Sequence, residues 1–143
     1  MGMSMSCTTP YEYRTYSEGE EFDEQRVKDL LEKLNCCMWQ TKVHVRHETY
    51  MMLLVSEDRY GDGRVHLRYW DNDKFAGTGG VLVDPLIPDD DEWGNWSIEL
   101  DDGGGAFSAT LRETVSRDVA IEAALRIIKL GSLPPDVINM TKW

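Results

Sequence analysis

Apolar and polar residues alternate along much of the chain with the two-residue period of β-strands. From residue 39 to residue 47, Thr41, Val43 and Val45 fall on one side of the predicted strand and polar residues on the other. The next segment, residues 49–55, is almost wholly apolar, which predicts a more deeply buried strand. Shorter segments of similar pattern occupy residues 11–16, 65–70, 81–83, 96–100, 107–111 and 136–143. Most are separated by turn-forming residues and therefore predict strands joined by hairpins.

Two segments have the spacing of an amphipathic helix instead. In residues 22–35, apolar side chains recur every three or four positions, at Val27, Leu30, Leu31 and Leu34. The second helix is expected to begin at Ser116, a favourable N-cap residue. Ala124 and Ile128 are expected to face the sheet and be largely buried. The full apolar stripe consists of Ala120, Ala123, Ala124, Ile127 and Ile128. Gly131 lies just past its last turn, where glycine commonly ends a helix.

The order of these segments predicts an α+β fold with a mainly antiparallel sheet of five to seven strands and two helices packed on it. Residues 11–143 are expected to form this single domain, because a chain of 143 residues fits one domain and no linker divides it. Residues 1–10 are predicted to be a disordered tail or a remnant from expression.

Charge is the feature of the composition that bears most on function. The formal net charge is -11, and no Lys or Arg occurs between Lys74 and Arg112. That window contains eight acidic residues: Asp84, Asp89, Asp90, Asp91, Glu92, Glu99, Asp101 and Asp102. A second acidic run extends from Glu18 to Glu24. Such a chain repels nucleic acid phosphates and anionic membranes and attracts basic partners.

The base-free window also contains tryptophan, which changes the interpretation of its acidic loop. Trp93 lies among carboxylates, whereas Trp96 alternates with Ile98 in a predicted strand and fits a core position. An aromatic side chain beside steering charges is typical of a binding hot spot. A solvated acidic face that favours solubility is the alternative. The candidate partner-binding residues are Asp89, Asp90, Asp91, Glu92, Trp93, Asp101 and Asp102.

No complete catalytic or metal site is visible in the sequence, so we predict neither an enzyme nor a cofactor or metal requirement. His44 and His47 are an odd number of residues apart on one strand and should point to opposite faces. They and His66 are expected at the surface. Residues 71–76 and 89–94 each depart from the calcium-loop pattern, although clustered carboxylates leave loose divalent binding open.

The cysteines and the hydropathy of the chain indicate its compartment. An odd count of three cysteines, two of them adjacent at Cys36 and Cys37, is a poor disulfide framework and fits a reducing environment. The sequence has no signal-peptide pattern and no apolar run long enough for a membrane span. We therefore expect a cytoplasmic protein that is a monomer or weak dimer.

The C-terminal part of the chain resembles a known family. Residues 116–124, SRDVAIEAA, lead into a helix that ends in LGSLPPDV at residues 130–137, and Trp143 follows. Together with the predicted hairpin around residues 65–69, this resembles the first-numbered immunity-protein family of bacterial polymorphic toxin systems. The likeness extends over residues 40–143. It implies a cytoplasmic antidote to a toxin domain, often a nucleic-acid deaminase, whose basic substrate-binding surface the acidic antidote would cover.

Two other functions stay open at this point. One is an acidic nucleic-acid mimic that inhibits some other DNA- or RNA-binding protein through its carboxylates alone. The other is a small metal-dependent hydrolase that uses the acidic loop. Mimicry predicts binding to several basic proteins, whereas an antidote should recognise one cognate toxin.

Overall fold

An antiparallel β-sheet organises the fold in the computed structural model, which describes residues 3–8, 13–16, 24–32, 40–57, 64–71, 79–87, 95–99, 106–131 and 140–142. The strands are β1 (Met3–Thr8), β2 (Tyr13–Tyr16), β3 (Gln40–His47), β4 (Tyr50–Glu57), β5 (Arg64–Asp71), β6 (Gly79–Leu82), β7 (Asn95–Glu99), β8 (Ala106–Thr110), β9 (Val115–Ser116) and β10 (Met140–Lys142). The helices are α1 (Glu24–Glu32) and α2 (Arg117–Leu130), and a 3-10 turn spans Leu111–Glu113.

Eight of the strands in the described ranges form one sheet. Its order is β10-β6-β5-β4-β3-β1-β2, and β9 pairs with the same edge of β5 as β6 does. Strands β7 and β8 form a separate two-stranded sheet. Neighbouring strands are antiparallel. The prediction of an α+β fold with a mainly antiparallel sheet is confirmed at that level, while the main sheet exceeds the predicted five to seven strands.

Strand β1 accounts for part of this excess and corrects the prediction of a tail over residues 1–10. Met3–Thr8 pairs with β3 on one side and with β2 on the other. Its methionines alternate with serines, and Met5 is only 1% exposed and belongs to the core. The segment is short and weakly apolar, so its local pattern resembled a tail. Its longer pairing is with β3, more than thirty residues later, and this non-local partner supplies hydrogen bonds in addition to those of the nearby β2.

One face of the sheet, which we call the core face, packs against α2. The cross-strand rows Val43–Leu54–Leu67 and Val45–Met52–Tyr69 are in register and fully or almost fully buried. The buried residues of α2 join the same cluster, together with Leu31 of α1: they are Ala120, Ile121, Ala123, Ala124 and Ile127. Ala124 is therefore buried as expected, whereas Ile128 is only partly buried at the margin of the cluster.

The two ends of α2 are defined differently. Ser116 occupies the N-cap position with extended backbone, but its side chain makes no capping hydrogen bond. Gly131 adopts the left-handed conformation with a φ of 73°, and its amide donates to the Ile127 carbonyl at 2.8 Å. The Thr49 hydroxyl donates to the Gly131 carbonyl at 2.9 Å, which fixes this end of α2 to the turn between β3 and β4. Glycine suits this stop because positive φ is strained for other residues.

The opposite face of the sheet is also buried at its centre, which corrects the expectation of surface histidines. Register places Lys42, Val55 and His66 in one cross-strand row and His44, Leu53 and Arg68 in the next. His66 is fully buried and His44 is 5% exposed. Alternation of apolar and polar residues usually means one wet face. Here the polar side chains of β3 and β5 flank the apolar residues of β4, whose burial on both faces agrees with its continuous apolar sequence.

Candidate partner-binding site

The seven residues predicted to bind a partner lie outside the described part of the chain, at positions 89–93, 101 and 102. The prediction that these carboxylates and Trp93 form one binding surface therefore concerns residues outside the described part of the chain. It does describe the segment that leads into the acidic loop, residues 83–87, and the strands β7 and β8 that follow it.

Residues 83–87 form a tight turn at the end of β6, which we call the Asp84 turn. The Asp84 carbonyl accepts a hydrogen bond from the Ile87 amide at 3.2 Å, and Oδ1 of the same residue accepts one from the Leu86 amide at 3.0 Å. Asp at the first position and Pro85 at the second are residues that this turn geometry favours. The Asp-Pro pair is thus the sequence signal for the turn.

Two arginines from distant parts of the chain hold the Asp84 turn in place. Arg64 of β5 donates from Nη2 to Asp84 Oδ2 at 2.8 Å and to the Thr114 carbonyl at 2.7 Å. Arg112 of the 3-10 turn donates from Nη1 to the Ile87 carbonyl at 2.9 Å. The Asp84 amide in turn donates to the Arg112 carbonyl at 2.8 Å. The turn is therefore fixed from both sides by side-chain and backbone bonds.

The environment of Asp84 keeps its carboxylate charged. Burial raises the pKa of this carboxyl, but the hydrogen bonds from Arg64 and the Leu86 amide and the charges of Arg64 and Arg112 outweigh it. The net effect is a pKa below the usual value of 3.8. The ion pair with Arg64 is largely shielded, with 15% and 19% of the two side chains exposed. Asp84 is therefore an internal anchor of the turn, and its charge is not displayed for a partner.

The Asp84 turn displays apolar surface. Leu86 is 90% exposed, Pro85 is exposed and Ile87 is half-buried. The other large exposed apolar side chains in the described part of the chain are Val119 at 49% and Leu130 at 60%, both on α2. Sequence pattern did not single out Leu86, because a leucine next to a short apolar strand is expected to be buried.

A second cluster of polar groups is buried on the face of the sheet that lies opposite the core face. His66 Nε2 accepts a hydrogen bond from Arg68 Nε at 2.9 Å, and His66 Nδ1 lies 2.6 Å from the Glu113 carbonyl. Because the guanidinium Nε–H can only donate and a carbonyl can only accept, His66 is neutral and carries its proton on Nδ1. Burial lowers the pKa of His66 to about 3; the Arg68 charge lowers it too, and the hydrogen bond to Glu113 only partly opposes them.

Basic side chains lie inward more often than acidic ones where burial is described. Exposed bases are Lys28, Arg46 and Lys129; the six that are buried or half-buried are Lys42, Arg64, Arg68, Arg112, Arg117 and Arg126. Exposed acids are Asp29, Glu32, Glu48, Asp118 and Glu122, against three that are half-buried, Asp71, Asp84 and Glu113. Three of the inward arginines bind other groups of the fold. The exposed residues in this part of the chain therefore have a more negative net charge than all of its described charged residues together.

Two further properties concern only the residues that the structure describes. Among them, no three His, Cys, Asp or Glu side chains are grouped so that they could hold a metal ion. The helices in the same ranges are too short and too polar to cross a membrane.

Comparisons with known protein families, with curated proteins and with solved structures found no significant match.

Proposed function

We propose that this protein is an antidote that binds a bacterial toxin domain and covers its basic, nucleic-acid-binding surface. The function belongs to the cytoplasm, requires no cofactor and involves no catalysis by the chain itself. The proposed contact surface consists of the seven residues Asp89, Asp90, Asp91, Glu92, Trp93, Asp101 and Asp102, extended by the Asp84 turn that precedes them.

The observation that carries this proposal is the inward placement of bases in an already acidic chain. Arg64, Arg68 and Arg112 are occupied by hydrogen bonds to Asp84, His66 and the Ile87 carbonyl. Bases used in this way cannot neutralise phosphates, so direct binding to nucleic acid is disfavoured. An outer surface with excess carboxylate instead accelerates association with a basic protein.

A nucleic-acid mimic would use the same charges, and the Asp84 turn distinguishes the two proposals. Mimicry requires carboxylates spaced like phosphates and gains little from an exposed leucine. A specific inhibitor needs desolvated apolar contacts near its steering charges. Leu86, at 90% exposure and three residues before Asp89, fits the specific inhibitor better.

The test is protection of bacterial cells by co-expression. The proposal expects a neighbouring gene that encodes the toxin domain. That toxin domain is expressed alone and together with this protein. We expect growth arrest with the toxin domain alone and restored growth with both. The purified proteins should form a stable complex that blocks the action of the toxin domain on nucleic acid.

Two controls separate this function from the alternatives. Unrelated basic nucleic-acid-binding proteins should not be captured; capture of several would support the mimic. Addition of a chelator should leave the complex intact, whereas loss of protection on chelation would favour a metal-dependent activity. Unchanged toxicity in co-expressing cells, with both proteins present in soluble form, would overturn the proposal.

A further inference from the structure

The Leu86 side chain, at the tip of the Asp84 turn, lies outside the core. Leu86 is 90% exposed, so its side chain adds almost nothing to the core. Single exposed leucines are common on protein surfaces and require no explanation by themselves. Leu86 differs from Val119 and Leu130 in its location. Val119 and Leu130 belong to a helix whose other face is in the core. Leu86 lies on a turn that hydrogen bonds from Arg64 and Arg112 hold in place.

The clamp fixes the conformation in which Leu86 is displayed. Within residues 84–87, each backbone amide that can donate does so: Asp84 to the Arg112 carbonyl, Leu86 to the Asp84 carboxylate, and Ile87 to the Asp84 carbonyl. Pro85 has no amide proton and fixes its own φ. Such a turn loses little conformational entropy when a partner binds it, and preorganisation of this kind strengthens binding. The bonds thus hold an apolar side chain rigidly in water.

The charges near Leu86 define the surface that it fits. The described charged groups at the turn are bonded within the fold: Asp84 pairs with Arg64, and Arg112 donates to the Ile87 carbonyl. The next carboxylates along the chain, Asp89 to Glu92, follow three to six residues after Leu86. On the proposed function, a partner that binds this stretch of sequence would combine an apolar contact with neighbouring basic groups.

From this arrangement we infer that Leu86 is the apolar anchor of the interface and inserts into an apolar pocket, ringed by Lys and Arg, on the toxin domain. This inference rests on the proposed function and adds its specificity determinant. The acidic residues would bring the partner in, and Leu86 would decide which basic surface is held. A basic surface without such a pocket would be approached but released quickly.

Two substitutions at one position test the inference against a purely electrostatic contact. Leu86→Ala removes apolar surface, and we expect the Kd for the toxin domain to rise at least tenfold through faster dissociation. Leu86→Asp adds a negative charge at the same place. If charge alone held the complex, Leu86→Asp would bind the basic partner as tightly as the wild type or more tightly. An apolar anchor predicts a loss of at least a hundredfold.

The exposed apolar residues of α2 provide matched controls. Leu130→Ala removes the same side chain from another exposed site, and Val119→Asp adds the same charge in the first turn of a helix, where an acid is tolerated. Both should bind within twofold of the wild type. All four variants should unfold at nearly the wild-type temperature, because none loses a core contact.

The outcomes separate this inference from the proposed function. Loss of binding in both Leu86 variants, with retention in both α2 variants, is the expected result. Wild-type binding by Leu86→Asp would overturn the anchor and leave the antidote function standing on its carboxylates. Equal losses at Leu86 and at the α2 positions would also overturn it, since the effect would not be local. Failure of the wild-type protein to bind the toxin domain would overturn both.

Discussion

Several histidine and arginine side chains are buried or half-buried in this protein, although these residue types are usually found at the surface. His66 is fully buried and is held neutral between the Arg68 guanidinium and the Glu113 carbonyl. Burial also lowers the pKa of Arg68, although the nearby charge of Glu113 raises it. Arg64 and Arg112 connect three segments through the Asp84 turn. At the residue scale, these arginines therefore stabilise the fold.

The first prediction concerns the pH dependence of stability through His66. The folded chain holds this imidazole neutral down to about pH 3, whereas in the unfolded chain it takes up a proton near its ordinary pKa of 6.5. The unfolded chain binds more protons between these values, so the free energy of unfolding falls as the pH falls through 6.5. His66→Gln can still accept from Arg68 and donate to Glu113, but it does not titrate.

Urea unfolding at pH 7.5 and at pH 5.5 measures this effect and stays above the pI of about 4.6. Between these two values the wild type should lose about 1.4 kcal/mol more unfolding free energy than His66→Gln. Carboxylates titrate equally in both proteins and cancel in the difference. Equal losses in the two proteins would mean that His66 is not held neutral in the folded chain.

At the scale of elements, local pattern predicted most of what is described. The strands β3, β4 and β5 lie where two-residue alternation and the apolar run placed them. Helix α2 lies between the N-cap Ser116 and the stop residue Gly131, as these residues indicated. These signals are local, because the spacing of apolar residues within a short segment indicates which side of a strand or helix is buried. They could not show β1, whose pairing is non-local, or the burial of the polar positions of β3 and β5.

The orientation of α2 was predicted to within part of a turn. Ala124 is buried, but the centre of the buried stripe runs through Ile127, which is fully buried, and Ile128 is half-buried. The predicted stripe contained both isoleucines, and the sequence alone could not decide which of them is buried more deeply.

The second prediction uses this pair of isoleucines. Ile127→Ala should lower the free energy of unfolding by about 2 to 5 kcal/mol, because it leaves a cavity between α2 and the core face. Ile128→Ala is the matched control: it deletes the same atoms one residue later and should cost clearly less, since part of its side chain already contacts water. Urea unfolding of the two variants measures the difference. Equal costs, or a larger cost at Ile128, would show that α2 is rotated from the orientation described.

At the scale of the whole molecule, the distribution of charge connects the fold to the proposed function. The chain has a formal net charge of -11, and its long base-free window begins after Lys74, between β5 and β6 in the sequence. The described fold takes arginines inward and leaves five of its acids exposed. The sequence predicted an acidic protein and a candidate loop. It could not predict which bases the fold would occupy, because Arg64 and Arg112 meet Asp84 only through tertiary contacts.

The last prediction separates the two kinds of contact in the candidate loop. Charges act over the distance of a diffusing encounter, so they govern association and are screened by salt. A buried aromatic side chain acts only after contact and governs dissociation. Replacing Asp89, Asp90 and Asp91 by Asn should therefore slow association with the toxin domain and flatten its dependence on ionic strength. Trp93→Ala should mainly speed dissociation, with a loss of about 2 kcal/mol or more.

Binding kinetics at two ionic strengths measure both effects. The control for the triple variant is Glu48→Gln, Asp118→Asn and Glu122→Gln combined, which removes three charges from exposed positions of the β3–β4 turn and α2. If the effect of the loop is local, this control should slow association much less than the loop variant, although both change the net charge equally. Equal slowing would show that only the overall charge matters. Wild-type kinetics in both loop variants would reduce the loop to a solvated face and place the inhibitory surface elsewhere.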